Sequence, residues 1–90
     1  MNRVSRDVRI TNQRGLHARA SAKFVNLASE LGLPIEVEKD GNQVCGTSIM
    51  GLMMLGAGLG DTITIHVDGE NGEEALAKLV MLVEERFGEE

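Results

Sequence analysis

Ninety residues with 42% hydrophobic and 26% charged side chains suffice for one modest core but not for two ordinary domains, and the mixture is that of a globular chain rather than a disordered one. A net charge of −5 and an aromatic content of 2% weigh against a general nucleic-acid binder, which needs basic groups for phosphates and rings for bases. Cys45 is the one cysteine, so an internal disulfide is excluded; neither a signal peptide nor an apolar run of membrane-spanning length is legible, and the expectation is a single cytoplasmic domain over residues 1–90, not inserted in a membrane.

From Arg3 to Thr11, Val4, Val8 and Ile10 fall on alternate positions with Arg6 and Arg9 among the polar residues between them, which predicts an opening strand. Asn12-Gln13-Arg14-Gly15 is turn material. After it, Phe24, Val25, Ala28 and Leu31 recur at helical spacing, so a helix is predicted from about His17 to Leu31, closed by Gly32 as a left-handed cap. Ile35 and Val37 alternate with Glu36 and Glu38 before Lys39-Asp40-Gly41-Asn42, whose Asp-Gly pair predicts a hairpin with a return strand from Gln43 to Gly46.

Ser48 is placed to cap a short apolar helix from Ile49 to Leu55, and Gly56-Ala57-Gly58-Leu59-Gly60-Asp61 reads as a flexible connector. The connector has neither the Lys-Ser/Thr pair nor the strand-to-helix setting of a phosphate-binding loop. Thr62 to Val67 is the clearest strand, with Ile63, Ile65 and Val67 alternating with Thr62, Thr64 and His66. Glu73 to Phe87 then puts Ala75, Leu76, Leu79, Val80, Val83 and Phe87 on one face of the longest helix. The order β-α-β-β-α-β-α, with half-polar strands and one-sided helices, predicts an α+β open sandwich in which an antiparallel sheet is covered on one face by helices.

The chemistry gathers at Gly15-Leu16-His17-Ala18-Arg19. A helix start has amides without internal partners and a partly positive dipole end, a setting that receives anions. His17 sits at that end and can form a covalent intermediate, while Arg19 in the first turn can hold a phosphate through paired hydrogen bonds. A phosphohistidine on His17 is the sharp reading, and the positive field would keep the ring neutral and nucleophilic near pH 7. The plain alternative is a capping histidine beside a solvated arginine. His66 reads as a solvent-face strand residue and Cys45 as a strand residue without a catalytic role; two distant histidines and one cysteine suggest no metal set.

Gly15-Leu16-His17-Ala18-Arg19, followed by small residues and Phe24-Val25, resembles the active-site segment of the HPr family, the histidine phosphocarriers of the phosphoenolpyruvate-dependent sugar phosphotransferase system. Thr47-Ser48-Ile49-Met50-Gly51-Leu52 is similar to the family's second helix with its regulatory serine, and length and element order match over the whole chain. The resemblance implies an HPr-like sandwich of four antiparallel strands under three helices. It implies that His17 accepts a phosphoryl group on Nδ1 from the phosphohistidine of enzyme I, with phosphoenolpyruvate as ultimate donor, and passes it to a histidine of an enzyme IIA component.

On the same resemblance Arg19 assists at the phosphate, Ser48 is the target of an HPr kinase/phosphorylase, and regulatory proteins are further partners. Such a chain is a monomeric, stoichiometric relay with no cofactor, not an enzyme in its own right. Ala18, Ala20, Ile49, Met50 and Met53 are the expected docking residues; on the second helix Ile49, Met50, Leu52, Met53, Met54 and Leu55 cannot all face inward, so some must be exposed. Ser48 as a simple helix cap and Ser48 as a phosphosite are both open, and compatible. Ala20 departs from the family's usual proline, and Gly51 from its usual lysine. The nitrogen-related NPr branch resembles Ser48 to Leu55 and the acidic end as well, so a signalling module that controls a bound regulator is the alternative; an anion- or small-ligand-binding domain without covalent chemistry is a third reading.

Overall fold

Thr62-Ile63-Thr64-Ile65-His66-Val67 is the segment around which the rest is arranged. In the computed structural model, which describes residues 2–89, it forms β4 (Thr62–Asp68), a central strand whose Ile63, Ile65 and Val67 are fully buried. β1 (Arg3–Arg9) pairs with one side of it and β2 (Ile35–Lys39) with the other, and β3 (Asn42–Cys45) continues beyond β2. The sheet order is β1-β4-β2-β3 and every neighbouring pair is antiparallel. The β2–β3 hairpin turns at Asp40 and Gly41, whose φ values of 52° and 84° are the left-handed pair that an Asp-Gly turn supplies.

Three helices cover one face. α1 (Ala18–Leu31) buries Ala20, Ser21, Phe24 and Ala28; α3 (Gly72–Glu84) buries Ala75, Leu76, Leu79, Val80 and Val83; the short α2 (Ile49–Met54) contributes Leu52. The four antiparallel strands under three helices agree with the expected sandwich. No helix among the described residues is long and apolar enough to cross a membrane.

Several boundaries differ from the expectation. β1 stops at Arg9 instead of Thr11 because Ile10 leaves the ladder and bonds the turn before β4: its N–H donates to Asp61 O at 2.8 Å and its carbonyl accepts from Gly60 N at 2.8 Å. α1 starts at Ala18, since His17 is extended and caps it. β3 ends at Cys45, and α2 at Met54. The largest difference is at the end of α3, which stops at Glu84 rather than running to Phe87. Arg86 and Phe87 take φ values of 60° and 54° in a separate 3₁₀ turn, Arg86–Gly88. Phe87 still reaches the core and is fully buried, but the break turns the chain toward α1.

The other face of the sheet is a polar ladder. Arg3 pairs with Asp68 at 2.8 Å and Glu36 at 3.1 Å, and Thr64 donates to Asp7 at 2.6 Å. His66, half-buried, lies between Ser5 Oγ at 2.6 Å and Glu38 Oε1 at 2.8 Å. The hydrogen bond from His66, and then that from Gln43, hold the Glu38 carboxyl below its ordinary value of 4.5. A depressed folded value means that the folded protein binds this proton less readily than the unfolded chain, so the stabilisation is complete above the ordinary value and lost as pH falls through the folded one. Glu38→Gln is therefore expected to lower the denaturation midpoint at neutral pH, by a margin that shrinks as pH falls through the folded value, as urea titrations at a series of pH values would read.

Candidate functional site

The site is assembled where the turn after β1 enters α1. Gly15 has φ of 64°, and a Cβ built on it would stand 2.3 Å from Ala57 O and 2.7 Å from Gly58 Cα, so only glycine fits. Next to it, Leu16 N–H donates to Ala57 O at 2.9 Å. The loop 56–60, an anonymous connector in sequence, is thus the seat on which the start of α1 rests. From beneath, the buried Asn12 donates from Nδ2 to Gly15 O at 2.9 Å, and Ser21 Oγ donates to Leu16 O at 3.2 Å.

These bonds deliver His17 to the N-cap of α1 with an extended backbone, and Ser21 N–H closes the first turn on His17 O at 2.9 Å. The cap is made by the ring itself. His17 Nδ1 accepts from Arg19 N–H at 3.3 Å, taking the place of the serine or aspartate oxygen usual at such a position. Nε2 faces the carboxylate of Glu89, whose second oxygen accepts from Asn12 Nδ2 at 3.1 Å. A ring whose Nδ1 accepts an N–H and whose Nε2 meets a carboxylate carries its proton on Nε2 and its lone pair on Nδ1. Burial acts to raise the Glu89 carboxyl, but the hydrogen bonds from His17 and Asn12 outweigh it and hold the group below the usual carboxylate range.

Arg19 is exposed in the first turn, on the same mouth. The reading from sequence contained only the positive field of α1 acting on His17. Glu89 adds a negative group against the opposite nitrogen. Neither Asn12 nor Glu89 was legible as a site residue. Asn12 reads as turn material, and Glu89 is 72 residues from His17, brought in by the break at Arg86 and Phe87.

The expected docking residues divide. Ala18 is exposed, and Ile49, Met50 and Met53 keep 42%, 71% and 44% of their surface, while Leu52 and Leu55 turn inward. Ala20 is fully buried, because the third residue of α1 faces the sheet; its side chain is therefore removed from the expected docking set. Met54, at 77% exposed, belongs to the apolar surface although it was not expected there. Ser48 caps α2, its Oγ accepting from Gly51 N–H at 2.9 Å. At Gly51 a Cβ would lie 3.0 Å from that Oγ and 3.1 Å from Val44 Cβ, a tight fit against the cap. His66 and the free, exposed Cys45 stand on the strands, outside this constellation.

The family model PTS-HPr, described as the PTS HPr component phosphorylation site, matches residues 4–85. The phosphocarrier protein HPr of Cupriavidus necator is 46% identical over 86 residues, covering 96% of this chain and 97% of that protein. The phosphocarrier protein NPr of Shewanella violacea is 38% identical over 89 residues, covering 99% and 98%. Among solved structures, HPr-C-His from Thermoanaerobacter tengcongensis superposes with a TM-score of 0.88 at 44% identity, covering 100% of this chain and 99% of that one. The chain belongs to the HPr family of phosphocarrier proteins of the phosphotransferase system.

The seat under Gly15 can be tested directly. Gly15→Ala forces either a shift of the loop 56–60 or a strained left-handed alanine, and the expected outcome is a loss of roughly 1–3 kcal/mol in denaturant titrations. Displaced NMR signals of the His17 ring should accompany it, because the same backbone carries the cap.

Proposed function

We propose that residues 1–90 act as one phosphocarrier domain in which His17 Nδ1 takes a phosphoryl group from the phosphohistidine of enzyme I, supplied ultimately by phosphoenolpyruvate, and hands it to a histidine of an enzyme IIA component. The observation that carries this reading is the His17 ring at the mouth of α1, with Nδ1 against the Arg19 amide and family membership over nearly the whole chain. In the transfer the Nδ1 lone pair forms the new N–P bond as the donor's P–N bond breaks, and the electron pair of that bond leaves with the donor ring. The Arg19 N–H that capped Nδ1 is then free to turn to a phosphoryl oxygen, joined by the other amides of the first turn and by the Arg19 guanidinium.

Such a cradle holds without trapping. A helix terminus contributes about 0.3–1 kcal/mol toward an anion and about 2 kcal/mol when partly buried, which suits a group that must leave again. Ala20, in place of the family's usual proline, restores one amide to this turn. Ile49, Met50 and Met53, with Ala18, form an adaptable apolar surface beside the site for enzyme I and IIA partners. The reading is of a cytoplasmic, monomeric relay without a cofactor.

Ser48 fits a regulatory role on the same surface. A phosphate added there by an HPr kinase/phosphorylase would stand at the cap of α2, at the edge of the patch that begins with the exposed Ile49 and Met50, opposing apolar docking through its charge and hydration. Similarity to the NPr of Shewanella violacea favours a second reading, in which the phosphorylation state of His17 governs a bound regulator of a nitrogen-related phosphotransferase system instead of sugar uptake.

With enzyme I and phosphoenolpyruvate, the wild-type chain is expected to acquire an acid-labile phosphate that His17→Ala abolishes; an unlabelled wild type would sink the carrier reading. Passage of the label to a sugar-specific IIA protein separates the sugar reading from the nitrogen-related one. Ser48→Asp is expected to slow phosphorylation by enzyme I by about tenfold while leaving the helix cap intact, since aspartate also caps. An unchanged rate would remove the regulatory role.

A further inference from the structure

The site holds one acidic group that the transfer described above does not use. Glu89 lies beyond residues 4–85 covered by the family model, yet it is held against His17 from two directions. The break at Arg86 and Phe87 returns the chain to α1, where Phe87 is fully buried and its carbonyl accepts from Lys23 Nζ at 2.7 Å. From the other side the Asn12 amide donates to Glu89 Oε1 and to Gly15 O. Both of those partners are acceptors, so the NH₂ must face them. Asn12 Oδ1 is thereby left buried with no hydrogen-bond partner among the described residues.

We propose that Glu89 is a positioning residue for phosphoryl transfer: its carboxylate holds the proton on Nε2 of His17, keeps the lone pair on Nδ1, and compensates the ring charge of the phosphorylated state. The proposal rests on the reading of His17 as the carrier group. When Nδ1 takes up the phosphoryl group, the Nε2 proton stays in place and the ring becomes a phosphorylated imidazolium, a cation beside an anion. On departure, the electron pair of the N–P bond returns to Nδ1. With Nε2 protonated the leaving group is a neutral imidazole; without that proton it would be imidazolate, a far poorer one. A carboxylate that secures the proton therefore serves both directions, by the same logic through which a buried acid fixes the histidine tautomer in hydrolytic triads. Asn12 holds the carboxylate in line, and the Lys23 contact holds the turn that presents it.

The test uses the full chain with ¹⁵N-labelled histidine. Ring-nitrogen shifts near pH 9, where imidazoles are neutral, report the tautomer directly. The wild type is expected to be dominated by the Nε2–H form at His17. Glu89→Ala should mix in the Nδ1–H form and slow transfer from phosphorylated enzyme I by about tenfold, the scale of one hydrogen bond to a charged group. Glu89→Asp should recover part of both effects, while Glu84→Ala, an exposed acid on α3, should change neither. Thermal unfolding of each variant shows whether the fold persists. If Glu89→Ala is merely less stable, with wild-type tautomer and rate, Glu89 is only a latch between the end of the chain and α1, and the proposal is overturned. An unlabelled wild type instead overturns the carrier reading, whereas the tautomer shift still reads the hold of Glu89 on the ring, so the two failures are distinct.

Discussion

The backbone of Gly15 and Leu16 presses against Ala57 and Gly58 so closely that no side chain fits between them, and the position of everything chemical follows from that approach. The first turn of α1 can be an anion site only if its amides open outward and the ring at its cap is held still. The close approach supplies both, because it ties the entry of the helix to a loop that is itself anchored at the start of β4 through Ile10, Gly60 and Asp61. Sheet and site are in this way one mechanical unit. The strand whose alternation is clearest, β4, also sets the height at which His17 stands.

The helical face of the sheet divides labour by helix length. α1 and α3 are long enough to bury a full stripe, and they do so. α2, six residues long, can turn only Leu52 fully inward, so its remaining apolar side chains are left at the surface. An exposed apolar surface is thus a geometric outcome of putting methionine and isoleucine on so short a helix. Because Ser48 caps that helix, any charge gained at the cap is gained at the edge of the same surface.

Period-two and helical spacing made the strands, both long helices and the hairpin legible, and the place of His17 at a helix mouth was legible as well. Boundaries moved where a side chain or a turn intervened: His17 gave up its place in α1 to cap it, and α3 broke before Phe87 although that residue fits the apolar stripe. A helical pattern says that Phe87 is buried, not by which path it gets there. Ala20 was misplaced for a related reason, since nearness to His17 in sequence says nothing about which side of the helix a residue faces. Asn12 and Glu89 carry no periodic signal at all. Their meeting depends on a backbone reversal of two non-glycine residues, which no local pattern announces.

The Lys23 contact with the Phe87 carbonyl has a consequence for how partners approach. Lys23 lies one turn after Arg19 on the exposed side of α1, and its ammonium is already engaged by the turn 86–88. On a chain with net charge −5, that leaves one ammonium fewer at this end of α1 to draw in an acidic protein from a distance. A partner docking on the exposed isoleucine and methionine side chains of α2, as proposed above, would then be held by short-range apolar contact. Association of that kind would be slower to form than charge-steered binding and nearly indifferent to ionic strength.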